Sequence, residues 1–296
     1  MGLLGPSMVA AEGRTTLGTG GLHTNDTFSY APLNDRWRTG SGVVSMVRAR
    51  GWDGAVPGRV GDLIEYRFRA EVISPANIVR PARFDRPYAA ALSFGIHTHF
   101  QRNNIEYSLG ADLVVTGPQT GLETFQAAIH DIIGISGASA AALRGQIPNG
   151  IHPTAIFEAG RTYEISPRIA FRPFLELQGG IETLTRIGGD LHIGRVGRDA
   201  LLVRDVSTGQ RYMINHGQFT GWAATLGADI AYVNSSVLLP ATARVTLKDT
   251  RVRARAGIRW QGENRAYFYG LTWLGKEFSQ QPEGQVVGSM HIEFGF

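Results

Sequence analysis

The 296-residue chain contains no cysteine, so neither a disulfide nor a thiolate can operate in it, although that alone does not fix its compartment. It has no apolar run approaching the roughly 18 residues that a membrane-crossing helix needs, which excludes a transmembrane helix. Lysine is nearly absent; arginine, the residue suited to bidentate pairing with phosphate and carboxylate, supplies most of the 29 basic residues set against 25 acidic ones. The net charge of +4 is spread along the chain rather than gathered in a tail or stripe, leaving no nucleic-acid footprint. No G-x-S-x-G elbow occurs, and no His/Glu spacing matches a zinc site. The amino terminus lacks the basic start of a secretory signal, yet Met8-Val9-Ala10-Ala11 resembles the small-residue end of one. Residues 1–13 are read as a signal remnant or an unstructured start, and the fold is expected over 14–296.

What the chain has in quantity is period-2 alternation. In Asp62 to Ile73, Ile64, Tyr66, Phe68, Ala70 and Val72 share one face, and Glu65, Arg67, Arg69 and Glu71 the other. Arg251 to Gln261 sets Val252, Ala254, Ala256, Ile258 and Trp260 against Arg251, Arg253, Arg255 and Arg259. Tyr88 to Phe100 places His97 and His99 opposite Leu92, Phe94 and Ile96; Ile105 to Thr116, Thr154 to Ile165, Arg168 to Gln178 and Gly221 to Asn234 repeat the theme. A soluble sandwich could bury such apolar faces, but segments of ten or more residues fit the roughly 9–11 tilted residues of a barrel strand in a membrane. The alternating final stretch, Met290 to Phe296, ends on phenylalanine, like the assembly signal of bacterial outer-membrane proteins.

Connection lengths sort themselves on such a barrel. Gln261 to Asn264, Ser166-Pro167 and Arg102 to Asn104 are short and fall at one end; 26–37, 74–85, 117–153, 187–200, 235–249 and 276–284 are long and fall at the other. Short periplasmic turns and long extracellular loops are the expected pattern. Eleven strands can be placed directly, and even parity calls for a twelfth, for which Leu201 to Ile214 is the candidate. The expected fold is all-β: a single 12-stranded antiparallel transmembrane barrel with one short helix, Leu122 to Ile133, in the longest loop. Gln126 and His130, four apart, share a face of that helix, while Asp131 points off it.

This topology gathers polar clusters at the long-loop rim: Thr24-Asn25-Asp26, Asp35-Arg36-Trp37-Arg38-Thr39, Asp85-Arg86-Pro87-Tyr88, and the helix pair Gln126 and His130. Singly each has a bland reading, as turn residues, a rim ion pair or a packed histidine; His97, His99 and His291 are read as lumen filling. In order, and joined by Gly117-Pro118, Gly121, Gly134, Gln146, Asn149, Lys276-Glu277-Phe278 and Ile292 to Phe296, they resemble the LpxR-type lipid A 3′-O-deacylases, outer-membrane barrel hydrolases. The resemblance implies an esterase that removes an acyl chain from lipid A, with its site at the rim facing the cell exterior. It assigns the catalytic histidine to His130, with Gln126, Asn25, Asp26 and Thr39 around it, and a substrate-contacting arginine to Arg86. It also implies Ca²⁺ as cofactor, with oxygen ligands drawn from Asp26, Asn25 and Thr39. The implied partners are lipid A and the surrounding outer-membrane lipids, and the expected state is a monomer.

The sequence departs from the family at Thr39-Gly40-Ser41 and at Asn149-Gly150-Ile151, and no acidic residue follows the histidine between Asp131 and Glu158, where the family has one to assist it. A non-catalytic barrel or pore with a degenerate site, and a phospholipase-A-type lipase, therefore stand as alternatives.

Overall fold

The computed structural model describes residues 13–29 and 35–294. The expectations for residues 1–12, for the middle of the first long loop and for the terminal Gly295 and Phe296 lie outside the described residues. The strands are β1 (Thr15–Asn25), β2 (Trp37–Ala49), β3 (Leu63–Ser74), β4 (Ala89–Arg102), β5 (Ile105–Thr116), β6 (Gly150–Gly160), β7 (Tyr163–Ser166), β8 (Ile169–Gly179), β9 (Glu182–Gly194), β10 (Leu202–Arg204), β11 (Arg211–Met213), β12 (Gly221–Ser236), β13 (Thr250–Gln261), β14 (Arg265–Leu274) and β15 (Gln285–Phe294). Twelve of them form a closed antiparallel barrel among the described residues: β1 to β6, β8, β9 and β12 to β15, with β15 against β1 and β6 against β8 completing the ring. Closure matters because an open edge would leave backbone N–H and C=O groups unpaired in hydrocarbon.

The alternation decides which face is which. On β3, Tyr66 and Phe68 are 43 % and 41 % exposed on the outside, while Glu65 and Arg67 are buried in the lumen. On β13, Val252 and Ile258 face out and Arg251, Arg253, Arg255 and Arg259 face in. A sandwich would have the reverse arrangement, so the barrel reading holds. Paired aromatics mark the short-turn rim on the outer surface, with Trp260 stacked on Tyr267 and tilted against Trp222, and Phe100 stacked on Tyr107. Inside, His97 bonds Asp112 and His99 bonds Glu65, each at 2.7 Å.

Two expectations are corrected. Thr154 to Ile165 is not one strand: the chain breaks after Gly160, and β7 continues the pairing with the lower part of β8. More consequentially, 187–200 is not a long-rim loop and Leu201 to Ile214 is not a wall strand. A tight hairpin through Gly180 and Ile181 leads straight into β9, the eighth wall strand, which pairs β8 and β12 along its length. Gly188 and Gly189 hid this strand by interrupting its side-chain alternation; the rings of Phe174 and Phe171 occupy the space they leave. Residues 201–214 instead fold back into the lumen as the β10–β11 hairpin. Its turn is made by Asp205, whose carboxylate accepts from Thr208 N at 2.8 Å, and by Gly209 at φ +73°. Leu201, Val203, Tyr212 and Ile214 pack against Leu22, Val43, Val47, Leu63 and Phe268 of the wall. Gly18 and Gly20 of β1 allow this approach, since a Cβ on either would overlap the carbonyls of Ile214 and Met213. The hairpin plugs the lumen from the short-turn end.

Its upper half meets a lattice of ion pairs. Arg204 bonds Glu158 at 2.7 Å and Asp190 at 2.9 Å, and Arg255 bonds Asp190 and Asp229, each at 2.5 Å. Asp229 also receives Arg253 at 2.9 Å and lies 3.2 Å from Arg186. Removing one carboxylate from such a buried set leaves several charges unpaired. Asp229→Ala is expected to lower barrel stability by about 3–5 kcal/mol, measured as urea unfolding in detergent micelles.

Candidate active site

The helix α1 (Leu122–Ile133) has the bounds the sequence predicts, and glycine sets both ends: Gly121 precedes it at φ +68° and Gly134 ends it at φ +73°, the latter's N–H bonding the His130 carbonyl. Pro118 opens the short 3-10 turn before it. The base of the loop is fastened by Asn149, whose Oδ1 accepts from Gln119 N at 2.9 Å. Asp131 is exposed, off the face that Gln126 and His130 turn inward.

That inner face meets Asp35, just before β2. His130 Nε2 lies 2.9 Å from Asp35 Oδ2, and Gln126 Nε2 donates to the same oxygen at 2.7 Å. Tyr88, fully buried at the start of β4, donates its hydroxyl to Gln126 Oε1 at 2.8 Å. The other ring nitrogen, His130 Nδ1, lies 3.0 Å from the Ser136 carbonyl. A carbonyl can only accept, so Nδ1 carries a proton. Nε2 against a carboxylate oxygen at this distance requires a second proton between them, held by the ring or by the acid.

Asp35 gives His130 an acidic contact that the stretch after the histidine does not supply. It comes from a position 95 residues earlier, so no spacing along the helix could reveal it. The available signal was its place in the Asp35-to-Thr39 cluster at the same rim. Tyr88 likewise stood in a noted cluster without a role.

Asp26 sits beside this pair. Its Oδ2 accepts from Arg36 N at 3.0 Å, while its buried Oδ1 has no hydrogen-bond partner among the described residues. Burial first, and then the charge of Asp35, push the Asp26 carboxyl up to about 7. Asp35 is also raised by burial, against the opposing pull of His130 and Gln126. Two buried acids with raised pKa values and one open oxygen form a locus short of positive charge, although among the described residues no three His, Asp or Glu side chains are grouped to hold a metal ion. The other two expected ligands are committed elsewhere in this conformation. Asn25 Oδ1 caps the turn after β1, accepting from Thr27 N and Oγ1 at 2.8 and 2.6 Å, and Thr39 Oγ1 pairs with Ser74 Oγ at 2.7 Å.

Arg86 is placed differently from the rest. It is buried beneath the rim and paired with Glu277, its Nε and Nη2 unpartnered. Glu277 also binds Arg38 at 2.6 Å and lies 3.3 Å from Arg251. Burial drives this carboxyl up, but Arg38, Arg86 and Arg251 more than reverse it and hold it well below the usual range. The neighbouring Phe278 packs on Trp37, which is buried at φ +49°.

With this geometry in place, comparison with known proteins settles the family. A family model described as outer membrane protein LpxR matches residues 22–296. The chain belongs to the LpxR family. The solved structure of LpxR from Salmonella typhimurium superposes with a TM-score of 0.78 at 21% identity, covering 94% of this chain and 100% of that one. The KdgM porin with oligogalacturonate (TM-score 0.41, 4% identity, 94% and 99% coverage) and the β domain of the Bordetella autotransporter BrkA (0.44, 10%, 94% and 99%) are more distant. No curated protein sequence matches this chain. As a member of the LpxR family, the chain is an outer-membrane β-barrel protein.

The raised Asp26 pKa gives a stability test. A carboxyl whose folded pKa exceeds its unfolded one binds more protons folded, so stability falls as pH rises between 3.8 and about 7 and stays reduced above. In chelator, Asp26→Asn is therefore expected to unfold at a higher temperature than wild type at pH 8 and at a similar one at pH 4, read by thermal unfolding in micelles.

Proposed function

We propose that this barrel hydrolyses an ester-linked acyl chain of lipid A from the outer leaflet, with the long-loop rim facing the cell exterior. The observation that carries the reading is the buried contact of His130 with Asp35 and Gln126, beside the unsatisfied Asp26 Oδ1. The plugged lumen argues against a pore, and membership in the LpxR family supports the substrate. The barrel acts as a monomer.

In the reaction, a water enters between Nε2 and the Asp35 carboxylate, and the proton shared there passes to bulk solvent. Nε2 then takes a proton from that water, while Nδ1 keeps its own on the Ser136 carbonyl. The resulting hydroxide adds to the ester carbonyl carbon. As the tetrahedral intermediate collapses, the C–O bond breaks and His130 returns its proton to the departing sugar oxygen, releasing the fatty acid. The ionised Asp35 favours the imidazolium that forms meanwhile, and Gln126, braced by Tyr88, holds Asp35 in line. Asp26 would hold Ca²⁺, with Asn25 and Thr39 joining by side-chain rotation; when bound, the ion supplies positive charge to the developing oxyanion. Arg86 contributes by fixing Glu277 and the loop around it.

In outer membranes, His130→Ala is expected to lower deacylation ~10²-fold or more, measured by mass spectrometry of lipid A. Identical acylation patterns from two folded barrels would sink the reading. Ca²⁺ added at pH 8 is expected to raise the unfolding temperature of wild type and leave Asp26→Asn unchanged.

A further inference from the structure

The ion-pair lattice of the lumen has one exception. Nine arginines are buried among the described residues, and eight have a carboxylate oxygen within 4.0 Å; Arg259 of β13 has none. Its guanidinium stacks on Phe268 and donates from Nη2 to the Arg211 carbonyl at 2.6 Å. Arg211, on the β11 arm of the plug hairpin, also has no carboxylate in ion-pair contact among the described residues and donates to the Leu202 carbonyl at 3.1 Å. Close to both is His192 of β9, its ring held by the Val196 backbone and its Nε2 without a partner.

These three side chains line one cavity of about 280 Å³ between hairpin and wall, whose lining reaches the short-turn rim at Trp52, Thr162 and Arg198. The carboxylates lining it are already taken. Glu106 and Glu158 bind Arg172, Asp190 binds Arg204 and Arg255, Glu176 binds Arg186, and Glu164 binds Arg198. A buried guanidinium without a counter-charge is costly, and among the described residues no carboxylate lies in ion-pair contact with Arg259. We propose that this cavity binds a small tetrahedral oxyanion of the phosphate class between Arg259 and Arg211, beside His192. The forked guanidinium donors match such oxygens in pairs. The anion joins the hairpin, through Arg211, to the barrel wall, through Arg259. The site lies away from the ester-cleaving rim and is independent of the reading above.

Inorganic phosphate is the probe, titrated against the folded barrel in detergent with sodium chloride at matched ionic strength as the reference. The expected result is a saturable rise in unfolding temperature with phosphate that chloride does not give, and broadening of the phosphate ³¹P resonance by the protein. Arg259→Gln and Arg211→Gln are each expected to raise the half-saturating phosphate concentration at least about tenfold, consistent with losing a charged hydrogen bond. Should Arg259→Gln not fold, Arg211→Gln and the ³¹P broadening decide. A rise no larger than that given by chloride, or wild-type saturation in the variants that fold, overturns the site.

Discussion

An inward-facing charge in a membrane barrel has one place to find its counter-charge, the lumen, and the rest of this structure follows from that. Along the middle of the wall, apolar side chains face outward, so the arginines and carboxylates there, such as Glu65, Arg67, Arg186, Asp229 and Arg255, point in. The β10–β11 hairpin completes the balance: Arg204 enters from the hairpin and satisfies Glu158 and Asp190 together. It also brings Tyr212 to Ser45 at 2.7 Å and Ser207 to Glu71 at 2.7 Å. The plug is therefore a structural part of the lattice, and it fills the space that would otherwise be a water channel.

The lattice extends upward into the rim. Arg38 binds Glu71 on β3 and Glu277 in the loop before β15, and its backbone N–H donates to Gln285, which in turn holds the Arg36 carbonyl. This fixes the chain just after Asp35. The acids of the rim then divide into two kinds. Glu277, among three arginines, is held ionised and is structural. Asp26 and Asp35 have no arginine side chain within ion-pair distance among the described residues; backbone, amide and imidazole groups serve them instead, and their pKa values rise. Arginine placement thus separates an acid held ionised from two whose pKa values burial raises.

What could be read from the sequence tracks the range of the interaction that produces each feature. The outward and inward faces of β3 and β13 follow from period-2 alternation, and α1 from glycines at both ends, so these were legible. The even strand count was right for a mistaken reason. Gly188 and Gly189 concealed β9, and residues 201–214, which alternate well enough to pass for a wall strand, turn at Gly209 into the lumen. Period cannot tell a strand of the wall from one packed inside it. At the site, the clusters named in the sequence do converge on one rim, but the contact between Asp35 and His130 is made across 95 residues and belongs to topology. Arg86 shows the converse: its motif was visible, and only packing reveals that its Nη1 pairs with Glu277 beneath the rim.

The origin of that acid has a consequence for how the site assembles. An acid a few residues beyond the histidine would ride on the same loop and keep its contact however the loop moved. Asp35 rides on the barrel, fixed through the Arg38 and Gln285 contacts, while His130 rides on α1. The pair therefore forms only when α1 is seated on the rim, a position clamped by the Tyr88–Gln126–Asp35 hydrogen bonds. Lifting the helix would separate His130 from its carboxylate in the same movement that opened the rim to a lipid. In the proposed hydrolysis, α1 must part from Asp35 by enough to admit one water and stay near enough for both groups to hold it.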